Sequence, residues 1–357
     1  MKKYIFRALL ILAGLSLFSC STELDINGNK KDVMIVYGIL DGSTSVQYIK
    51  INRAYLGEGN ALEYSQIPDS TLYPYLLDVK LDVLNENGQS VLPAPLQADT
   101  VNIWKNGGVF FTGYQPYYRF DFKDYIDILD TVNPYTHDTT WLLTKYTYKL
   151  IITDPVTGNI YESEAPGLGN LTMDNPSSSA INISFTSDQS SSVKFKSIKN
   201  GKLYEGKFII HYYEVYAGNP SDTIEKTISW SLGSKKSETT SGGTTMELGY
   251  SNWSFFDLLG QNLEHREDVT RFTGYVDVFV TVGAEDMSTY IDVNQPSNSI
   301  IQEKPSFSNI SNGIGLFTSK YVFRHKPLKL KGTTIELLNT HPSTSDLNFE
   351  GELPNLP

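Results

Sequence analysis

Several stretches of the chain alternate apolar and polar residues with the period of a half-buried strand. In "VKLDVLNENG", Val79, Leu81 and Val83 alternate with Lys80 and Asp82, and Asn87-Gly88 supplies a turn. In "YVDVFVTVGAED" (275–286), Val276, Val278, Val280 and Val282 fall on one face. "YTYKLIITDPVTGNIYESEA" predicts a hairpin: Tyr148, Leu150 and Ile152 face one way, Asp154-Pro155 ends the first strand, and Gly158-Asn159 turns the chain back. "VMIVYGIL" (33–40) is a continuous apolar run closed by Asp41-Gly42, the pattern of a buried strand. "AINISF", "KFIIHYYEVY" (207–216) and "ISWSLG" read as further strands. One segment keeps a helical period instead. In "NWSFFDLLGQNLEHREDV", Phe255, Phe256, Leu259 and Leu263 form a stripe, Asn252 or Ser254 offers an N-cap, and Asp257 lies in the first turn. Gly260 weakens that helix.

Many short strands and one helix predict an all-β chain built as two immunoglobulin-like β-sandwich modules in series, with one crossover helix. The 23 tyrosines, together with Thr, Val and Ile in the runs, favour the same class. "APGLGN" (165–170) and "MDNPSSSA" (173–180) interrupt the strands with Pro, Gly and small polar residues. They place the first module at 32–168 and the second at 169–332. Residues 333–357 are polar and carry Pro342, Pro354 and Pro357, the composition of a strap and a loose tail.

The start of the chain changes the picture. Lys2, Lys3 and Arg7 precede an apolar run, Ala8 to Phe18, and then Ser19 and Cys20. That is a secretory signal, too short to span a bilayer. With Leu17, Ser19 and then the chain's single cysteine, residues 1–19 have the shape of a lipoprotein signal peptide, although Phe18 is unusual before Ser19. Cleavage leaves Cys20 at the new terminus, where its thiol carries a diacylglycerol. Each buried methylene contributes about 0.8 kcal/mol, so two or three acyl chains hold a protein on a membrane. Residues 20–31, polar and containing Asn27, Gly28 and Asn29, form the lipidated flexible tether. Ser21, Glu23 and Asp25 fit an outer-membrane address, facing either the periplasm or the cell surface. No other cysteine exists for a disulfide, and a chain of 357 residues can bury enough apolar surface without one.

Charge excludes one class of partner. The formal net charge is -11, and removing the signal makes it more negative. Nucleic acid demands clustered Lys and Arg, which this chain lacks. Catalytic signatures are missing too. His137, His211, His265, His325 and His341 are scattered, without H-E-x-x-H or C-x-x-C spacing, a G-x-S-x-G elbow or a Walker loop. Nothing in the pattern requires a cofactor. In "NGIGLFTSK" (312–320), the glycines read as a tight turn or a bulge beside a strand. Asp121, Asp124, Asp127 and Asp130 recur every three residues, but without the D-x-D-x-D-G loop that wraps calcium. A solvated face of a short amphipathic segment accounts for them. The tyrosines of "LYPYLL" and "GYQPYYRF" (Tyr73, Tyr75, Tyr114, Tyr117 and Tyr118) sit beside prolines, in predicted loops. They are either contact aromatics or lids on the core.

These residues together resemble a family. The lipobox cysteine, "VMIVYGIL", the closing "TYKLIITDPVTGNIYESEAP" and the late "PSFSNISNGIGLFTSK" are similar to a family of Bacteroidota lipoproteins known only as a domain of unknown function. Asn312-Gly313, Gly315 and Phe317 carry most of the likeness. Members of that family tend to be encoded near TonB-dependent outer-membrane receptors. The resemblance implies an outer-membrane lipoprotein, an accessory binding or interaction module for a receptor or nutrient-uptake system, with no catalytic residues to carry over. The sequence leaves two other readings open: a cell-surface adhesin or assembly subunit, and a hydrolase with an unrecognised carboxylate site.

Overall fold

The computed structural model describes residues 33–54, 60–125, 140–186, 188–216, 223–295 and 306–353. Cys20, the tether, Asp127, Asp130 and His137 lie outside them. The first half runs β1 (Val33–Asp41), β2 (Val46–Ala54), two helical turns α1 (Ala61–Tyr64) and α2 (Pro68–Thr71), then β3 (Asp78–Leu84), β4 (Leu96–Gln97), β5 (Asp99–Lys105), β6 (Gly113–Asp121), β7 (Thr147–Thr153) and β8 (Ile160–Pro166). Next come β9 (Met173–Asn175), β10 (Asn182–Ile183), β11 (Ser190–Lys196), β12 (Gly201–Tyr216), β13 (Thr223–Lys236), β14 (Thr245–Ser251) and helix α3 (Ser254–Asn262). The chain continues with β15 (Val269–Ala284), α4 (Glu285–Asn294), β16 (Ile314–Arg324), β17 (Leu328–Leu330), α5 (Gly332–Leu338) and β18 (Phe349–Glu352).

The fold is an all-β sandwich fold, with three sheets among the described residues. An eleven-stranded sheet carries β10-β17-β15-β16-β1-β2-β6-β5 along its main path, with β12, β13 and β18 joined through β15. Two smaller sheets, β4-β3-β7-β8 and β14-β11-β9, face it. Alternation along the strands decides which side is covered. Val79, Leu81 and Val83 on β3 and Tyr148, Leu150 and Ile152 on β7 are essentially inaccessible, as their period required. They meet Met34, Val36, Ile49 and Phe120 of the large sheet in one hydrophobic cluster. A second cluster begins at Leu168 and runs to Phe349, joining Val276, Val278, Val280 and Val282 to β11, β14 and helix α3. Within it Phe185 stacks on Phe255 at 4.5 Å, with Phe208 and Tyr250 edge-on to Phe185 and Trp230 tilted against it.

The first cluster is not confined to the first half of the chain. Ile310 and Phe317 belong to it. β16 pairs in parallel with β1 from Ile35↔Ile314 to Asp41↔Lys320, then antiparallel with β15 from Lys320 to Arg324. One strand thereby links the two cores. The approach to β16 is tied down on every side. The Asn309 side chain accepts from the Phe317 N–H (2.9 Å) and donates to the Phe317 carbonyl and to Asp286, each at 2.7 Å. Ser163 of β8 donates to the Asn309 carbonyl, and Asn312 donates to the Ile160 carbonyl. Gly315, at φ +124°, lies so close to β1 that a Cβ there would come 1.9 Å from the Val36 carbonyl oxygen.

The expected helix forms as Ser254–Asn262, and Phe255, Phe256 and Leu259 are its buried face. The cap differs from expectation: Trp253 occupies the N-cap without a side-chain hydrogen bond. A single helix was too few. The strand expected over 275–286 stops at Ala284, and Glu285 and Asp286 open α4 instead, two acids in the first turn of a helix. α5 replaces the expected strap at its start.

Candidate functional site

β2 and β6 are hydrogen-bonded only from Val46↔Asp121 to Ile49↔Tyr118. Beyond that point the strands separate, and Pro116, which has no N–H to donate, lies two residues past the last pair. A cavity of about 340 Å³ occupies this region on the face away from the core. Tyr37 pairs with Lys50, and Ile35 with Asn52, so these four side chains share that outer face. β6 adds Gln115 and Tyr117, β5 adds Lys105, and α2 with the loop before β6 adds Thr71, Phe110 and Phe111.

Three cations line a largely apolar wall. Lys50 donates to the Pro116 carbonyl at 3.2 Å and stands 4.7 Å from the Tyr117 ring centre. Lys105 donates to the carbonyls of Gly107 (2.9 Å) and Phe110 (3.3 Å) and lies 5.8 Å over the Phe110 ring. Arg53 donates to the Asp69 carbonyl. Each is held by backbone oxygen, and among the described residues none pairs with a carboxylate. Burial, with a smaller contribution from Lys105, pushes the Lys50 ammonium down to about 8. The free value is about 10.4, so the unfolded chain keeps this proton between about pH 8 and 10.4 where the folded one loses it. The fold therefore gains stability as pH rises through that window and carries the full cost of a desolvated cation below it. Tyr37 at the rim meets Tyr290 of α4 edge-on at 6.4 Å. Its hydrogen-bonding contact with Tyr290, then burial, push its phenol up to about 12.

The five tyrosines separate. Tyr117 lines the cavity. Tyr118 is 4% exposed, a core residue whose hydroxyl accepts from the Leu77 N–H at 3.0 Å. Tyr73 and Tyr75 pack against the first core with ring centres 5.8 Å apart, and Tyr75 donates to Asp154. Tyr114, 67% exposed, stands edge-on to Trp104 on the opposite face of β5 and β6. Tyr114, Tyr117 and Tyr118 are thus on a strand and not in a loop, because β6 runs through Pro116 where no partner needs its N–H. Of the acidic run, Asp127 and Asp130 lie outside the described residues. Asp121 pairs with Arg119 at 2.7 Å, and Asp124 falls in a 3-10 turn, Phe122–Tyr125. Among the described residues no group of His, Cys, Asp and Glu converges as a metal site.

A second cavity, about 390 Å³, lies over β12, β13 and β15 and includes Tyr213, Glu225, Tyr275, Lys329 and Glu352. His211 is beside it, stacked on Tyr275 at 3.9 Å. Its Nδ1 lies 2.8 Å from Glu225 and its Nε2 3.3 Å from Asp277. Asp277 in turn receives both Arg324 Nη2 contacts, at 2.9 and 3.1 Å. With both ring nitrogens engaged, His211 aims neither a lone pair nor a proton at the cavity, and the cluster is satisfied within itself. Among the described residues the Lys50 cavity has no such internal answer to its charge.

Sequence reasoning missed Lys50, Arg53 and Lys105. The one signal available was "YIKINR", in which Lys50 lies between buried Ile49 and Ile51 and Arg53 follows two residues later. Nothing local brings Lys105 to them.

The buried charges elsewhere are structural. Glu214 is 4% exposed and receives Arg271 Nε at 3.1 Å and the Lys226 ammonium. Burial alone would raise the Glu214 carboxyl. Hydrogen bonds from Lys226 and Arg271 outweigh it and hold the group below its usual range. A folded value below the free one of about 4.3 gives stability that is present above that pH and lost as pH falls through the folded value. In acid titrations of unfolding midpoint, the native chain should lose stability more steeply below about pH 4.3 than Glu214→Gln; parallel curves would contradict this.

Compared with known proteins, the chain matches no family model and no curated protein.

Proposed function

We propose that the chain is a membrane-tethered binding module: an outer-membrane lipoprotein, anchored through Cys20, that serves a receptor or uptake system by binding rather than by catalysis. The observation that carries this reading is the Lys50 cavity. It is an open, aromatic-walled site whose cations pair with no carboxylate among the described residues, in a chain of net charge -11. Cations left without acidic partners in an acidic protein mark a place where an external anion completes the charge balance. The described residues assemble no acid–base pair or metal group beside that cavity, which favours binding over the hydrolase reading. The family likeness supports the same placement through Cys20 and the 312–317 segment.

Two measurements test the two parts. Cys20→Ala is expected to move the protein from the membrane to the soluble fraction or to leave an unprocessed precursor. Unchanged fractionation and processing would remove the anchor. Cross-linking in native outer membranes should recover a membrane-protein partner of the intact chain. Recovery of none, with attachment to surfaces lost on deletion and uptake unaffected, would favour the adhesin reading.

A further inference from the structure

The geometry points to a small carboxylate with a flat apolar body as the ligand of the Lys50 cavity, its charge taken by Lys50 and Lys105 and its body laid against Tyr117 and Phe110. This deepens the binding reading above and rests on it.

The argument starts from what the walls offer together. Lys50 and Lys105 each stand over an aromatic ring, Tyr117 and Phe110 respectively. Each cation is thereby held at the border between an apolar surface and open solvent. A ligand with charge at one end and a ring or short hydrocarbon at the other matches that border; a bare anion uses only the cations, and a neutral ring only the walls. Volume narrows the class. About 340 Å³ is at the small end of ligand cavities, enough for a metabolite-sized molecule and too little for a folded partner's loop. Asn52, Thr71 and Gln115 add neutral polar atoms to the lining. Gln115 is 3% exposed and its amide reaches the Phe111 carbonyl only at 3.4 Å, so it retains donor capacity for a ligand oxygen.

The lowered proton affinity of Lys50 agrees with an absent anion. A carboxylate brought beside the ammonium favours its charged form and reverses that shift. Binding should therefore be strongest below about pH 8 and weaken above it as Lys50 loses its proton.

The test uses the full lipidated chain in nanodiscs of zwitterionic lipid, with naphthoate as probe and naphthamide and inorganic phosphate as comparators. By calorimetry near pH 7, naphthoate is expected to bind with Kd below about 1 mM, and both comparators at least about tenfold more weakly. Lys50→Met should cost at least about tenfold in naphthoate affinity, while Lys50→Arg retains it. Labelling of the native chain decides the matter if Lys50→Met does not fold. Saturating naphthoate should slow acylation of the Lys50 amine, read by mass spectrometry, with exposed lysines such as Lys194 unaffected. Naphthamide or phosphate binding as tightly as naphthoate, no binding of any probe, or Lys50 labelling indifferent to naphthoate would each overturn the proposal. None of those results bears on the partition of Cys20→Ala between membrane and soluble fractions, so the ligand and the tether fail separately.

Discussion

Arg271→Met is expected to lower folding stability by about 3–5 kcal/mol, seen as a fall in the urea midpoint. Arg271 is 2% exposed and spends its guanidinium on three acceptors: Glu214 at 3.1 Å, the Leu347 carbonyl at 2.8 Å and the Glu264 carbonyl at 2.9 Å. Methionine fills much of the volume and supplies no donor. Glu214 would keep Lys226, but Lys226 is half out in solvent and reaches only one of its oxygens. The carboxylate would be left buried and undercompensated, which is the expensive way to break such a pair. The two carbonyls belong to the connection into β15 and to the segment entering β18, so their loss should also raise hydrogen exchange across 347–352. Adding Glu214→Met should return part of the stability by removing the stranded charge, but not all, since the carbonyls still lack their donor. The exposed Arg266–Asp268 pair is the control, and Arg266→Met should leave the midpoint where it was. A cost for Arg271→Met below about 1 kcal/mol would show that the triad does not fasten this end of the fold.

Gly315→Ala is expected to cost about 3 kcal/mol or more. Two independent reasons add here. The backbone at φ +124° is a conformation L residues rarely adopt, and the new methyl would fall 1.9 Å from the Val36 carbonyl oxygen, inside the β1–β16 ladder. The obstructing atom is backbone, so relief requires the strands themselves to move apart. Gly249→Ala in β14 provides the contrast, because a Cβ there meets only the Ser191 carbonyl at 3.9 Å. That substitution should be neutral or slightly stabilising. Equal midpoints for the two variants would mean that β16 tolerates separation from β1.

These two positions show what the sequence could and could not convey. Strands that alternate were legible because period two maps directly onto a covered and an open face: Val79 to Val83, Tyr148 to Ile152, Val276 to Val282 all lie where alternation put them. The stripe of Phe255, Phe256 and Leu259 was legible for the same reason at helical period. β6 was not, since the prolines and tyrosines of "GYQPYYRF" also describe a loop, and only the departure from β2 explains how Pro116 fits. α4 was hidden by the valine alternation leading into it. The cavity was hidden most completely, because Lys50 and Lys105 come from β2 and β5, which only the intervening β6 brings near each other. The glycines and asparagines of 309–317 are positions where backbone geometry and side-chain amides fasten β16 to β1 and β8.

The place of β16 also governs the order in which the molecule can be finished. Ile35 waits for Ile314, so β1 leaves the ribosome long before its parallel neighbour exists. Until then one edge of a strand containing Met34, Val36 and Leu40 stands open, able to pair with any extended chain nearby. Such a pairing closes a very long loop and is slow by its topology. A chain halted before residue 314 would lack part of its first core as well as its end, and cellular quality control would meet an aggregation-prone β edge in place of a shortened native domain.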